Sequence, residues 1–314
     1  MIKVDKIVKS FGSIVAVDEV SFAVDIGTVL GFLGPNGAGK STTMRMITGY
    51  LTSDSGYATV CGYDVAKEPI AAKENIGYLP ESAALYGEMK VSAFLRFAAS
   101  MRGMTGVERR DAVDRVVQIC RLESVFRQTI GTLSKGYRHR TCFAQALIHD
   151  PSVLVLDEPT DGLDPNQKHE MRTLIKDMGR SKAIILSTHI LEEVDAVCSE
   201  VAIVDHGKIV YHGDVNGLLD KDKGARVRLR VVGGDENAIL ESLYEIDGIR
   251  GIDVVAVKSD SILFEISAKD DAARIRNGVS AFCFERGWRI LELYNCDRRL
   301  DKVFRDLTMG EVVR

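Results

Sequence analysis

A chain of 314 residues, 46% hydrophobic and 27% charged, has the composition of a soluble globular protein of about two domains. With 41 Lys and Arg against 45 Asp and Glu the formal charge is −4, and the basic residues are scattered among carboxylates, so nothing marks a nucleic-acid surface. Six cysteines without a CxxC pair argue against a metal knuckle or disulfide framework; no apolar run approaches the ~18 to 20 residues that span a bilayer, and MIKVDKIVKS lacks an apolar signal segment, which places the expected chain in the cytoplasm.

In chain order, IKVDKIV, VSFAVDIG and TVLGFLG read as strands, the last apolar on both faces and therefore central. A helix is expected from Gly39. Between Ser82 and Ile130 the spacing turns helical, with Val91, Phe94, Leu95 and Ala98, then Val113, Val116, Val117 and Cys120, as in a helical insertion over about 82 to 150. VLVLD at 153–157 and AIILST at 183–188 are again buried strands, separated by a helix carrying Met171, Leu174 and Ile175. This alternating order predicts an α/β fold with a largely parallel sheet over residues 1–220.

After the charged stretch KDKG near 221, residues 221–314 follow a βαββαβ order, for which a ferredoxin-like α+β domain is the simplest closure. LDKVFRDLT is expected to add a last amphipathic helix. Val227, Leu229 and Val231 alternate on one face of the first strand, with Ile290 and Leu293 on the last, while Arg226, Arg228 and Arg230 are expected to stay wet. Trp288 and Phe284 read as core of this domain.

GPNGAGKST at 34–42 has the GxxxxGK[ST] spacing after an apolar strand and before a helix, a context in which backbone N–H groups wrap phosphate. Gly34, Gly37 and Gly39 allow positive φ and close approach; Lys40 adds a charge for the β- and γ-phosphates, Ser41 a ligand for Mg²⁺, and Thr42 another phosphate contact. VLVLDEPTDGLDP ends its strand in Asp157 and Glu158, at the sheet edge where α/β proteins bind ligands. One carboxylate suits Mg²⁺ and the other a general base; the alternative is two acids capping a turn. Ser134 and Gly136 in LSKGYRHR suit either an anion at a helix N-terminus or an ordinary N-cap.

Over residues 1–220 these motifs, in this order, resemble the ATP-binding cassette ATPases. The resemblance implies ATP and Mg²⁺ as ligands, with the whole loop Gly34, Pro35, Asn36, Gly37, Ala38, Gly39, Lys40, Ser41 and Thr42 on nucleotide. Phe11 in KSFG stands where the family stacks an aromatic on adenine. IGYLPE at 76–81 matches the loop linking nucleotide to the transmembrane partner, and LSKGYRHR the family signature, which places Ser134 and Gly136 on the ATP of a second subunit. GLDP, with Asp164, looks like the loop that crosses the dimer, and LSTHIL puts His189 beside the γ-phosphate. Ser41, Asp157 and Glu81 are the implied Mg²⁺ ligands; Glu158, His189, Lys40 and Glu81 are the implied catalytic residues.

The chain departs from the family pattern at Lys135 and Tyr137 of the signature and at Glu81, where Gln is usual. These variants, with GFLGPNGAGKST and IGYLPE, resemble the exporter-type branch that includes the gliding-motility ATPase. The expected protein is an ATPase that closes as a homodimer, or with a related cassette, onto separate transmembrane permease subunits at the cytoplasmic face, with no nucleic-acid partner. The alternatives are a soluble ATPase of this fold and a non-hydrolysing nucleotide-binding regulator. Tyr86 and Met89 either dock a partner or fill the helical subdomain's core. His206 and His212 are a metal pair or surface residues, and His139 and His149 are read as helix-face residues. Residues 221–314 are expected to hold two subunits together between cycles.

Overall fold

A computed structural model describes residues 1–82, 85–215, 217–218, 225–233, 235–258, 261–268, 272–295 and 304. The KDKG stretch, Cys296 and, apart from Phe304, the LDKVFRDLT segment lie outside the described residues. The chain divides into two compact units, Met1–Val215 and Asn216–Arg314, a division a few residues ahead of the expected position.

In the first unit β3 (Val29–Leu33), β6 (Ile76–Leu79), β7 (Val153–Asp157), β8 (Ala183–Thr188) and β9 (Glu200–Asp205) run parallel, with β10 (Lys208–Asp214) antiparallel at one edge. Their order is β10-β9-β3-β8-β7-β6. Every residue of β3, β7 and β8 is buried, as an apolar run demands when both faces of a sheet are covered. Because side chains alternate across a strand, Leu154 and Leu156 join one core and Val153 and Val155 another. The second core lies under an antiparallel sheet of order β2-β1-β4-β5, formed by β1 (Ile2–Phe11), β2 (Ile14–Val24), β4 (Ser55–Val60) and β5 (Tyr63–Asp64).

The helices of this unit are α1 (Lys40–Ile47), α2 (Pro69–Glu74), α3 (Val91–Met101), α4 (Gly106–Ile119), α5 (Lys135–Leu147), α6 (Pro165–Gly179) and α7 (Leu191–Val197). Helix begins only at Val91 within the helical stretch expected from Ser82, and two short helical turns at Glu123–Val125 and Ile130–Thr132 follow α4. The apolar stripes of α3 and α4 are buried as their spacing requires. Leu95, fully buried, is a position where truncation to Ala costs about 2 to 5 kcal/mol.

The second unit comprises β11 (Ala225–Val232), α8 (Glu236–Leu243), β12 (Ile249–Val257), β13 (Ile262–Ala268), α9 (Ala272–Glu285) and β14 (Arg289–Asn295). Its strands form an antiparallel sheet of order β12-β13-β11-β14. Val227, Leu229 and Val231 pack with Ile239, Leu243, Ile275 and Val279 of the two helices. The arginine face departs from expectation. Arg226 is only 5% exposed, and Glu265, opposite Arg228 in register, lies 3.2 Å from Arg226 and 3.0 Å from Arg228. Arg230 pairs with Glu292 at 2.9 Å. Cross-strand carboxylates let Arg226 be buried and Arg228 and Arg230 be half-buried, where unpaired they would have to stay in water. Trp288 packs against the core, but Phe284 is 86% exposed and does not, because it falls on the outer face of α9 next to buried Cys283.

Candidate functional site

The site begins where β3 ends. A Cβ on Gly34 would strike the Val204 carbonyl, so this glycine serves close packing; the positive φ expected there occurs only at Gly37 (85°) and Gly39 (101°). A Cβ on Gly39 would also meet the Ala16 carbonyl of β2, so this left-handed residue both turns the loop into α1 and seats it on the neighbouring sheet. The N-terminus of α1 then directs its free N–H groups and partial positive charge outward.

Asn36, Gly37, Gly39, Lys40, Ser41 and Thr42 line a cavity of about 550 Å³ together with Glu81, Glu158, Asp161 and His189. Gly34 and Ala38 are buried behind the loop, and Pro35 is exposed without lining the cavity. Lys40 Nζ donates to the carbonyls of Gly34 at 2.8 Å and Pro35 at 3.1 Å and lies 3.7 Å from Glu158 Oε1. Burial pushes the lysine's pKa down, while Glu158 and then Asp157 oppose that shift.

Asp157 is buried, and its Oδ1 accepts from Ser41 Oγ at 3.2 Å and from Ser187 Oγ. The next residue leaves the strand: Glu158 has φ 49°, and its N–H donates to both the carbonyl and the hydroxyl of Ser187 at 3.1 Å. Those two contacts hold a non-glycine residue in the left-handed region, a conformation costing about 1 to 3 kcal/mol. The turn aims the Glu158 carboxylate into the cavity, 3.0 and 3.1 Å from His189 Nδ1. One apolar strand thus delivers a hydroxyl-bound carboxylate and, beside it, a carboxylate between a lysine and a histidine. Chemically this can ligate a hard cation, bind phosphate and orient or deprotonate a water.

Other sequence-predicted residues lie elsewhere. Phe11 is half-exposed at the tip of the β1–β2 hairpin, with Lys9 Nζ 5.9 Å from its ring, and does not line the cavity, although Ala16 of the same hairpin does. Ser134 caps α5, accepting from Tyr137 N at 3.4 Å, and Gly136 is buried against the Gln167 side chain. Neither lines the cavity of its own chain. Asp164 caps α6, accepting from Gln167 N at 2.9 Å; the acid of that loop that lines the cavity is Asp161, missed by motif reading although it stands three residues past Glu158 in the glycine-containing turn. Lys135 lies 3.6 Å from Asp161, and Tyr137 turns back toward Ser124 Oγ at 3.3 Å.

The remaining histidines resolve as follows. His206 lies 3.9 Å from Asp205 with its side chain 95% exposed, while His212 lies 3.5 Å from Glu200, so the two face different acids. Among the described residues no cluster of three or more His, Cys, Asp or Glu forms a metal site. His139 lies on the buried face of α5, whereas His149 falls in the turn after that helix and is half-buried; burial depresses both pKa values to about 4.

The ABC transporter family profile matches residues 17–161. Over 315 residues, the whole of both chains, this chain is 31% identical to the linearmycin resistance ATP-binding protein LnrL of Bacillus subtilis (strain 168). The chain belongs to the ABC transporter family of ATP-binding proteins. It is 33% identical over 308 residues to the Nod factor export ATP-binding protein I of Rhizobium sp. (strain N33), covering 97% of this chain and 95% of that one. The fold matches a dimeric ATP-binding cassette solved in a post-hydrolysis state with ADP and phosphate, at a TM-score of 0.63 and 20% identity over 68% of this chain and 99% of that one. As an ABC protein the chain is an ATP-binding, ATP-hydrolysing subunit that powers a membrane transporter.

Proposed function

We propose that this ABC subunit works as a homodimer, or with a related cassette, in an exporter of the branch that resembles the gliding-motility ATPase. The observation that carries the reading is the placement of the signature segment: Ser134 and Gly136 stay out of the cavity that Lys40, Ser41 and Glu158 form. A second chain presenting that segment would supply the missing donors for the charge that develops on the transferred phosphoryl group. Support for export comes from relatives named for Nod factor export and linearmycin resistance.

In this reading the backbone of residues 36–42 and Lys40 bind the phosphates, Phe11 stacks on adenine, and Glu158 takes a proton from the attacking water while His189 orients it and the γ-phosphate. Asp164 belongs to the loop facing the second subunit. The donors present suit Mg²⁺, since a hydroxyl and one or two carboxylates plus phosphate oxygens are what that ion takes. Ser41 and Asp157 would hold it, with Glu81 at the rim, and it would neutralise phosphate charge. The experiment is Glu158→Gln, which keeps shape and cannot accept the proton: ATP binding persists, turnover falls at least ~100-fold, and gel filtration with ATP gives a dimer. Monomer alone under those conditions refutes the dimeric site.

Among the described residues no helix is long and apolar enough to cross a membrane, so the permease would be a separate chain, with this subunit peripheral on the cytoplasmic face. A cavity of about 580 Å³ between α3, β6 and α5 suits its docking. The Tyr86 ring, well exposed, lies against Phe94 and Phe97 at the mouth, whereas Met89 packs into the core. The second unit, read as a ferredoxin-like module on its strand order, would keep two subunits together between cycles. Truncation after Lys221 should then leave ATP affinity intact and lower the cooperativity of turnover in dilute protein.

A further inference from the structure

Among the described residues three acids of the first unit are buried: Asp157 and Glu158, which belong to the phosphate site, and Glu193, which does not line the phosphate cavity. Glu193 lies in the first turn of α7 and is 1% exposed. Its two oxygens are divided between the turn after β7 and the end of β8. Oε1 accepts from the Thr160 hydroxyl, and Oε2 accepts from Thr188 Oγ1 at 2.7 Å. Thr160 follows Glu158 by two residues, in a turn closed by Asp161 N donating to the Glu158 carbonyl at 3.1 Å. Thr188 immediately precedes His189 and accepts from Ile190 N at 3.0 Å, so its hydroxyl holds the backbone on both sides of that histidine.

We propose that Glu193 is a positioning residue for ATP hydrolysis, clamping the loop of Glu158 to the end of β8 so that the general base and His189 keep their 3.0 Å contact through the cycle. A buried carboxylate is a poor choice for packing alone, since an apolar side chain of similar volume fills space without desolvating a charge. Two hydroxyl donors, with the Arg172 guanidinium 3.9 Å from Oε1, give this one a use: only a carboxylate offers an acceptor to each loop. An amide has one acceptor and one donor end. One threonine hydroxyl would have to turn and accept from its NH₂, and a charge-assisted bond would give way to a weaker neutral one.

The inference rests on the assignment of Glu158 as base, and the test separates the two. In the full chain, Glu193→Gln should lower kcat about 10- to 100-fold while ATP affinity stays within ~2-fold, a split that loss of packing would not give. Thr160→Val should lower kcat several-fold and Thr160→Ser should restore it. Adding Thr160→Val to Glu193→Gln should cost little more, because both break the same tie. Wild-type kcat in Glu193→Gln, or kcat and ATP affinity falling together, overturns the proposal. If Glu193→Gln does not fold, the threonine pair decides: equal kcat for Val and Ser overturns it, and loss with Val rescued by Ser sustains it. Turnover retained in Glu158→Gln would instead refute the assignment of the base. Turnover lost there and kept in Glu193→Gln refutes only the clamp.

Discussion

In the phosphate cavity one buried lysine faces the carboxylates of Glu158 and Asp157, with Glu81 and Asp161 also at the wall, His189 beside Glu158 and Lys135 beside Asp161. On the outer face of β11, in the second unit, Arg226 and Arg228 meet Glu265, and Arg230 meets Glu292. Each region withdraws at least one cation from water, Lys40 in the first and Arg226 in the second. In the second the charges answer one another across strands, and the result is a stapled sheet. In the first, the acids that line the cavity outnumber its one lysine, and the arrangement is that of a nucleotide site. Charge paired internally is costly to break from one side, and buried charge left out of balance marks a site.

That contrast predicts opposite phenotypes. Lys40→Ala removes the one cation from the cavity and should cost about 4 kcal/mol of nucleotide binding, ~10³-fold in affinity, with little change in thermal stability. Equilibrium binding of a fluorescent ATP analogue measures it. Glu265→Gln should do the reverse. Two guanidinium groups lose their shared carboxylate, the second unit loses about 3 kcal/mol of stability, and ATP affinity is unchanged. Denaturant titration beside the same binding assay reads both, and a variant that lost ATP affinity would break the separation of roles.

Acid should separate the units further, because all six histidines lie in the first. His139 is buried with a pKa near 4, below the ~6.5 of an unfolded histidine. The unfolded chain therefore takes up the proton first. Stability contributed by the neutral ring is intact above about pH 6.5 and falls as pH drops toward 4, by about 2 kcal/mol at pH 5. His139→Gln should flatten that slope, measured as the midpoint of cassette unfolding between pH 7 and 5. The second unit should not share this histidine-dependent slope.

How much of this was legible follows from what each residue answers to. The phosphate loop, the strands β3, β7 and β8 and the βαββαβ order announce themselves through local spacing, because glycine permissiveness and side-chain alternation are properties of short segments. Glu265 beside two arginines is a cross-strand fact, and a strand read alone makes Arg226 look solvated. Glu193 left one clue, since it shares the buried face of α7 with Val194 and Val197, but its partners Thr160 and Thr188 come from two other segments. Gly34 meets the expected need for close approach but not for positive φ, and the group approached is the Val204 carbonyl, brought near by the pairing of β3 with β9. Residues whose role depends on a third strand or loop are invisible to a window that slides along the chain.

Glu81 offers the finest comparison, between a carboxylate at the cavity rim and the half-buried, doubly paired Glu265. It is exposed, lines the cavity, and is the last of the groups that raise the Lys40 pKa. Solvent screens such a charge, so its removal should be worth less than about 1 kcal/mol. Glu81→Gln should shift the Mg²⁺ concentration for half-maximal turnover by no more than ~5-fold and leave kcat within ~3-fold. The direction matters more than the size. A carboxylate that approaches the cation favours its binding, so the amide should raise the Mg²⁺ requirement. A carboxylate that mainly repels phosphate would show the opposite, tighter ATP binding at unchanged Mg²⁺ dependence. A variant indistinguishable in both titrations would mean that Glu81 turns toward solvent and that Asp157 and Ser41 hold the cation without it.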